Sequence, residues 1–293
     1  MSSASPTSPA SPTSPNSPAS SSPVHLRAGT SGYSYAEWKG AFYPEKIKPA
    51  EMLAFYAARL GTVEINNTFY RMPKKSVLES WAAQVPPDFR FSIKASRRIT
   101  HFKRLKETDE ETAFLVGNVA VLGDRLGVVL FQLPPNLRCD VERLDRFLAL
   151  LPEGLPAAFE LRHESWRDDA VYERLRARDF AVVTVDGIDP DEAGEADAPS
   201  SPPSLVPGST WGYLRLRRPD YDRATLAEWA LEISRMGWRE AFVYFKHEDE
   251  AAGPRMAAEF LAVAAEIGGD RRAPRRAAVR ARDRKQEREQ ETG

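Results

Sequence analysis

Two glutamates stand in strand-like stretches with an amide or a cation two residues further on. In TVEINNTFY (Thr62 to Tyr70), apolar Val63 and Ile65 alternate with Glu64, Asn66 and Thr68. In AAFELRHESW (Ala157 to Trp166), Phe159 and Leu161 alternate with Glu160 and Arg162. A strand sends alternate residues to opposite faces, so Glu64 shares a face with Asn66, and Glu160 with Arg162. The pattern recurs with Lys94 in FRFSIKAS, Gln132 in GVVLFQLPP, Asp186 at the end of FAVVTVD, and Arg215 and Arg217 in WGYLRLR. Lys94, Arg162, Arg215 and Arg217 favour an anionic ligand group such as a phosphate or carboxylate. Glu64 and Glu160 suit acid/base work if their surroundings push their pKa values apart. Lys94 joins them as a third candidate catalytic group. Tyr33, Tyr70 and Trp166 offer faces for a sugar or base, and His101 and His163 lie in nearby loops. The competing reading is an internal salt-bridge network, with Glu64 and Glu160 neutralised by Lys94 and Arg162, that only closes one end of the fold.

The elements that must position these residues alternate. Eight strand-like stretches begin near Leu26, Thr62, Phe89, Gly127, Ala157, Phe180, Trp211 and Ala241. Helical patterns stand between most of them. Pro49 opens one with Met52, Leu53, Tyr56 and Leu60 in register and Gly61 as its expected close. Asp140 is a plausible N-cap for Leu144, Phe147, Leu148 and Leu151, and Asp168 for Val171 and Leu175. Strand–helix alternation implies a parallel sheet, and eight repeats imply an α/β fold of one (β/α)8 TIM-type barrel. An open doubly wound sheet is the alternative. Parallel barrel strands are normally apolar on both faces, so polar positions late in several strands mark the C-terminal mouth, where barrel enzymes hold their sites. In this reading Val185 and the other alternating apolar residues face the helices, and Asp186 faces the lumen.

The chain has 293 residues and a formal net charge of −1, so global charge names no partner. Residues 1–23 are a Ser/Pro-rich run expected to be disordered. The barrel is expected over 24–269, with 187–209 as a flexible acidic loop where the sixth helix is short or missing. From 270 to 293 the chain is an Arg-rich charged tail, also expected to be disordered, and one that touches nucleic acid only as a weakly supported option. The single cysteine, Cys139, excludes an intramolecular disulfide framework and a Cys-rich metal site. No apolar run is long enough to span a membrane, and no signal-peptide pattern is present, so the cytoplasm is the expected compartment.

Several motifs together resemble one family. They are GTSGYSY (29–35), VEINNTFY (63–70), FSIKAS (91–96) with ITH (99–101), FQLPP (131–135), FELRHESW (159–166) and YFKHEDE (244–250). The chain is similar to the YecE-like family, domain of unknown function seventy-two. The resemblance implies a TIM-type barrel with a polar mouth at Glu64, Asn66, Lys94, Gln132, Glu160, Arg162, His163 and Trp166; it implies no reaction. Two departures add charge: RLRR puts Arg217 where many relatives have histidine, and YFKHED replaces YFNN.

Three functions compete. The first is a metal-free, cofactor-free enzyme acting on a small anionic or sugar-like substrate, with the glutamates as acid and base. The second is a metal-dependent phosphoesterase or isomerase, which would need more His, Asp and Glu ligands than four histidines readily supply. The third is a non-catalytic module for a ligand or nucleic acid.

Overall fold

The computed structural model describes residues 23–187, 204–246 and 249–270. Eight strands run β1 (His25–Ser31), β2 (Thr62–Ile65), β3 (Arg90–Lys94), β4 (Leu126–Gln132), β5 (Ala157–Glu160), β6 (Ala181–Asp186), β7 (Trp211–Leu216) and β8 (Glu240–Phe245). Each pairs in parallel with its sequence neighbours, and β8 closes on β1. The fold is therefore a closed eight-stranded barrel, and the open-sheet alternative falls.

Seven helices are described: α1 (Pro49–Ala57), α2 (Lys75–Ala83), α3 (Asp109–Val119), α4 (Val141–Ala149), α5 (Asp169–Ala177), α6 (Arg223–Arg235) and α7 (Ala252–Asp270). Three are capped by aspartates. Asp140 accepts from the Arg143 amide at 3.0 Å, Asp168 from Ala170 at 2.8 Å, and Asp222 from Thr225 at 2.8 Å. Each cap satisfies an amide with no partner inside the helix. α1 ends differently from expectation: its C-cap is Ala58 in right-handed helical geometry, and Gly61 lies beyond the turn. No helix stands between β6 and β7 among the described residues. Most of the expected acidic loop, 188–203, lies outside them, as do 1–22 and 271–293.

Side-chain alternation divides the core in two. The outer layer seats Val63, Ile65, Phe91, Ile93, Val129, Phe131, Phe159, Leu214 and Leu216 against the helices. Each such side chain contributes about 1.5–3 kcal/mol when fully buried. The inner layer fills the lumen with Val128, Leu130, Ala158, Ala181, Val183, Trp211, Tyr213, Phe242 and Tyr244. Tyr244 sits between Thr62 Oγ1 at 2.6 Å and Ser92 Oγ at 2.7 Å, tying β8 to β2 and β3 across the lumen. Arg27 Nε donates to Glu240 Oε1 at 2.5 Å, and its Nη1 to the Asp88 carbonyl at 2.8 Å, near the strand N-termini. The lumen is thus packed below, with its few polar groups there paired with one another, and its densest polar set lies at the strand C-termini.

Candidate functional site

The strand pleat fixes which side chains reach the mouth. Register pairs Ser31 with Glu64, Glu64 with Ser92, Gln132 with Glu160, Val185 with Arg215, and Arg215 with Tyr244. Parallel neighbours point the same way, so Ser31, Glu64, Glu160 and Arg215 all turn inward. Arg217 and Lys246 continue the inward rows Tyr213–Arg215 and Phe242–Tyr244.

Arg215 is the centre of the arrangement. Its Nη2 donates to Glu64 Oε1 at 2.7 Å and its Nη1 to Glu160 Oε2 at 2.6 Å. The guanidinium fork therefore bridges two carboxylates from opposite sides of the barrel, a geometry that lysine lacks. Glu64 Oε1 also accepts from Ser31 Oγ at 2.8 Å and Asn66 Nδ2 at 3.1 Å, and its Oε2 from the Tyr213 hydroxyl at 2.7 Å. Glu160 Oε1 accepts from Gln132 Nε2 at 2.9 Å and Arg162 Nε at 2.9 Å. Arg217 Nη2 lies 3.7 Å from Glu160 Oε2.

These contacts settle the charge states. Burial alone would raise the Glu160 pKa, but Arg215, Arg162 and Lys94, with the Gln132 hydrogen bond, override it and hold it at about 2. Burial would also strip the proton from Arg215, and Glu64 and Glu160 reverse that, so it stays cationic. Tyr213 is pushed well up, first by burial and then by the Glu64 charge, so it stays a neutral hydroxyl donor. Glu160 is consequently an ionised anchor rather than a proton donor near neutral pH. Glu64, fully buried with four donors, is likewise occupied in holding the mouth together. The expected division of these two carboxylates into acid and base is not what the geometry builds.

Three further groups lie around this anchor. Lys94 Nζ sits 4.2 Å over the Phe69 ring. His101 packs edge-on against the same ring at 4.8 Å, and its Nδ1 meets Thr100 Oγ1 at 2.8 Å. Burial, then the Lys94 and Arg162 charges, lower the His101 pKa to about 4, so the imidazole is neutral at pH 7. Gln132 is 1 % exposed; its Nε2 faces Glu160, which fixes the amide orientation, and its Oε1 has no donor among the described residues.

The structure gathers Glu64, Asn66, Lys94, Gln132, Glu160, Arg162, Arg215, Arg217 and His101 as the sequence pattern implies. It moves four others away. Asp186 does not enter the lumen: Ala181, Val183 and Val185 take the inner row of β6, so Asp186 turns outward and pairs with Arg218 at 3.0 Å. Trp166 is fully buried, and its indole donates to the Leu137 carbonyl at 2.7 Å, so it covers the barrel top. His163 caps a short turn, its Nδ1 accepting from the Ser165 amide at 3.1 Å. Tyr33 packs on Tyr56 at 6.2 Å, and its carbonyl accepts from the Tyr43 hydroxyl, which makes it part of the aromatic box under β1. Tyr70 stands at the rim, 65 % exposed. His247 lies outside the described residues.

Sequence reasoning missed Ser31 and Tyr213. Tyr213 was legible, because it sits two residues before Arg215 on the same face. Ser31 was not, because serine at a strand end ordinarily reads as a turn signal.

Comparisons with known proteins agree with the motifs. The family model "Protein of unknown function DUF72" matches residues 27–278. The UPF0759 protein YecE of Escherichia coli K12 is 32% identical over 109 residues, 37% of this chain and 40% of that relative. The matched stretch thus spans less than half the length of that curated relative. A DUF72 family protein from Thermotoga maritima superposes with TM-score 0.64 at 26% identity, covering 80% of this chain and 97% of that one. A second, from Enterococcus faecalis, gives TM-score 0.67 at 20% identity over 82% of this chain and 95% of that one, a likeness of fold.

Proposed function

The chain belongs to the DUF72 family of proteins of unknown function, and we propose that its barrel mouth binds a small, hydroxyl-bearing anion and acts on it as an enzyme. The carrying observation is the composition of the mouth: Arg162, Arg215 and Arg217 reach two carboxylates that Arg215 already bridges, and the Lys94 charge acts on Glu160 as well. Cations outnumber anions among these side chains, and a low-dielectric, mostly buried setting strengthens their pull on a phosphate or carboxylate. Gln132 Oε1 supplies an acceptor for a ligand hydroxyl, which supports a sugar-like or hydroxy-acid anion over a bare one.

In this reading the glutamates orient cations and do not exchange protons. Proton movement falls to neutral His101, aided by Lys94, both beside the Phe69 ring. A base that is unprotonated at pH 7 without a carboxylate partner is what burial and two neighbouring cations make of a histidine. The metal-dependent alternative has less support, because no three His, Cys, Asp or Glu side chains cluster as ligands among the described residues. The full engagement of both glutamates also suits a mouth that binds without catalysis.

A thermal-shift panel of phosphorylated sugars, hydroxy acids and their uncharged parents tests the binding half. Ribose 5-phosphate and its class should raise Tm in wild type and lose the effect in Arg162→Met, while uncharged sugars do nothing. Equal shifts in wild type and Arg162→Met would overturn the proposal. For the enzyme half, conversion of any stabilising compound should fall in His101→Gln with binding retained.

A further inference from the structure

Large exposed apolar side chains are few here and they cluster. Tyr70, Phe102 and Phe114 are 65 %, 66 % and 60 % exposed, and all three belong to the loops after β2 and β3 or to α3. A cluster of exposed aromatics on one rim of a barrel marks a contact surface rather than scatter. Beside Tyr70 lies a groove of about 460 Å³, lined by apolar Tyr70, Met72, Phe114 and Leu115 together with Arg71, Ser96, Arg98, Glu110 and Glu111. Two aromatic rings among polar and charged side chains suit a small ligand with a flat ring and hydrogen-bonding edges.

The groove adjoins the mouth through two short pieces of chain. Phe69, which carries Lys94 and His101 on its ring, is followed directly by Tyr70, and the two rings meet edge to face at 5.1 Å. Lys94 ends β3, and Ser96 is two residues further along the same chain. The rim is also cationic and held in an unusual backbone. Arg97 lies 5.1 Å from both the Tyr70 and Phe102 rings. Residues Arg98–Phe102 form one π-helical turn, followed by positive φ at Arg104, Leu105 and Glu107. Such turns and left-handed non-glycine residues carry a conformational cost and concentrate at functional sites. The Glu111 carboxylate in this groove is paired with Lys103 at 2.8 Å and Arg98 at 3.4 Å, which limits its repulsion of an anion.

We propose that this groove is the ring-binding subsite of the mouth, so that the anionic ligand is a nucleoside monophosphate, its phosphate on the mouth cations and its base stacked on Tyr70 and Phe114. A base offers the flat face these rings match, and its edge offers donors and acceptors for Glu110 and Ser96. The proposal rests on the anion-binding reading of the mouth and narrows its ligand class.

Calorimetric titration with AMP, GMP, CMP and UMP, beside ribose 5-phosphate, separates the two claims. At least one nucleotide should bind about tenfold more tightly than ribose 5-phosphate, the scale of a single base–aromatic stack. Tyr70→Ala and Phe114→Ala should each reduce that advantage and the double variant should erase it, with ribose 5-phosphate affinity unchanged. Both positions are exposed, and circular dichroism verifies the fold. If ribose 5-phosphate binds as tightly as every nucleotide, the ring subsite is wrong and the anion-binding mouth stands. If no phosphate compound binds, the mouth reading fails and this proposal fails with it. If a nucleotide advantage survives the double variant, the base sits elsewhere and the groove assignment is overturned.

Discussion

Arg215 carries more of the mouth than any other single side chain, because two buried carboxylates depend on it. Replacing it with methionine strips a partner from both Glu64 and Glu160. Removing one member of a buried ionic set costs about 3–5 kcal/mol, and Arg215→Met should lose at least that much in urea unfolding at pH 7. The loss should shrink in acid, where Glu160, stripped of its main partner, takes up a proton. Glu160 sets a pH window of its own. Its folded pKa is depressed to about 2 from an ordinary 4.5, so its contribution is fully present above pH 4.5 and vanishes as pH falls towards 2. Acid titration of stability should show a steeper decline between pH 4.5 and 2 in wild type than in Glu160→Gln. His101 has the same sign at higher pH. Its folded pKa of about 4 lies below the ordinary 6.5, so its stabilising share is present above pH 6.5 and is lost as pH drops towards 4. NMR should find the ring neutral until about pH 4; titration near pH 6.5 would contradict its placement between Lys94 and Arg162.

Elements were far easier to read from the chain than their ends and facings. Alternation of Val63, Ile65, Phe91, Ile93, Leu214 and Leu216 named the outer faces of β2, β3 and β7, and the lumen residues followed by elimination. The same rule failed in β6, where the polar row, Thr184 and Asp186, is the outer one and the inner row Ala181, Val183 and Val185 is apolar. Alternation shows that Thr184 and Asp186 share a face but not which face is inward; pairing of Val185 with Arg215 decides that, and Asp186 turns out towards Arg218. Trp166 and Tyr33 were misplaced for a different reason. An aromatic in a mouth-side loop serves equally as a ligand platform or a lid on the core, and only tertiary packing distinguishes them. Trp166→Phe should therefore lower stability through the lost Leu137 hydrogen bond and leave anion affinity unchanged. Element packing also explains a glycine that the sequence leaves unremarkable. A Cβ at Gly212 in β7 would lie 2.0 Å from the Trp238 ring, so Gly212→Ala should cost about 1–3 kcal/mol in chemical denaturation.

Across the whole molecule, a net charge of −1 conceals an uneven distribution. Basic side chains gather at the closed barrel's C-terminal mouth, above a lumen packed with aliphatic and aromatic side chains. Composition therefore pointed to no partner, although strand-by-strand spacing did reveal the cationic set. What could not be read from spacing was which carboxylate each cation would hold, because that depends on barrel closure bringing β7 within reach of both β2 and β5. The central proposal is that closure makes the mouth an organised anion receptor. Its most direct measurement is calorimetric titration of ribose 5-phosphate into wild type and Lys94→Met at low and high salt. The account predicts saturable one-to-one binding in wild type, weakened by salt and reduced at least tenfold in Lys94→Met. Absence of binding, or equal salt-insensitive binding in both proteins, would contradict it.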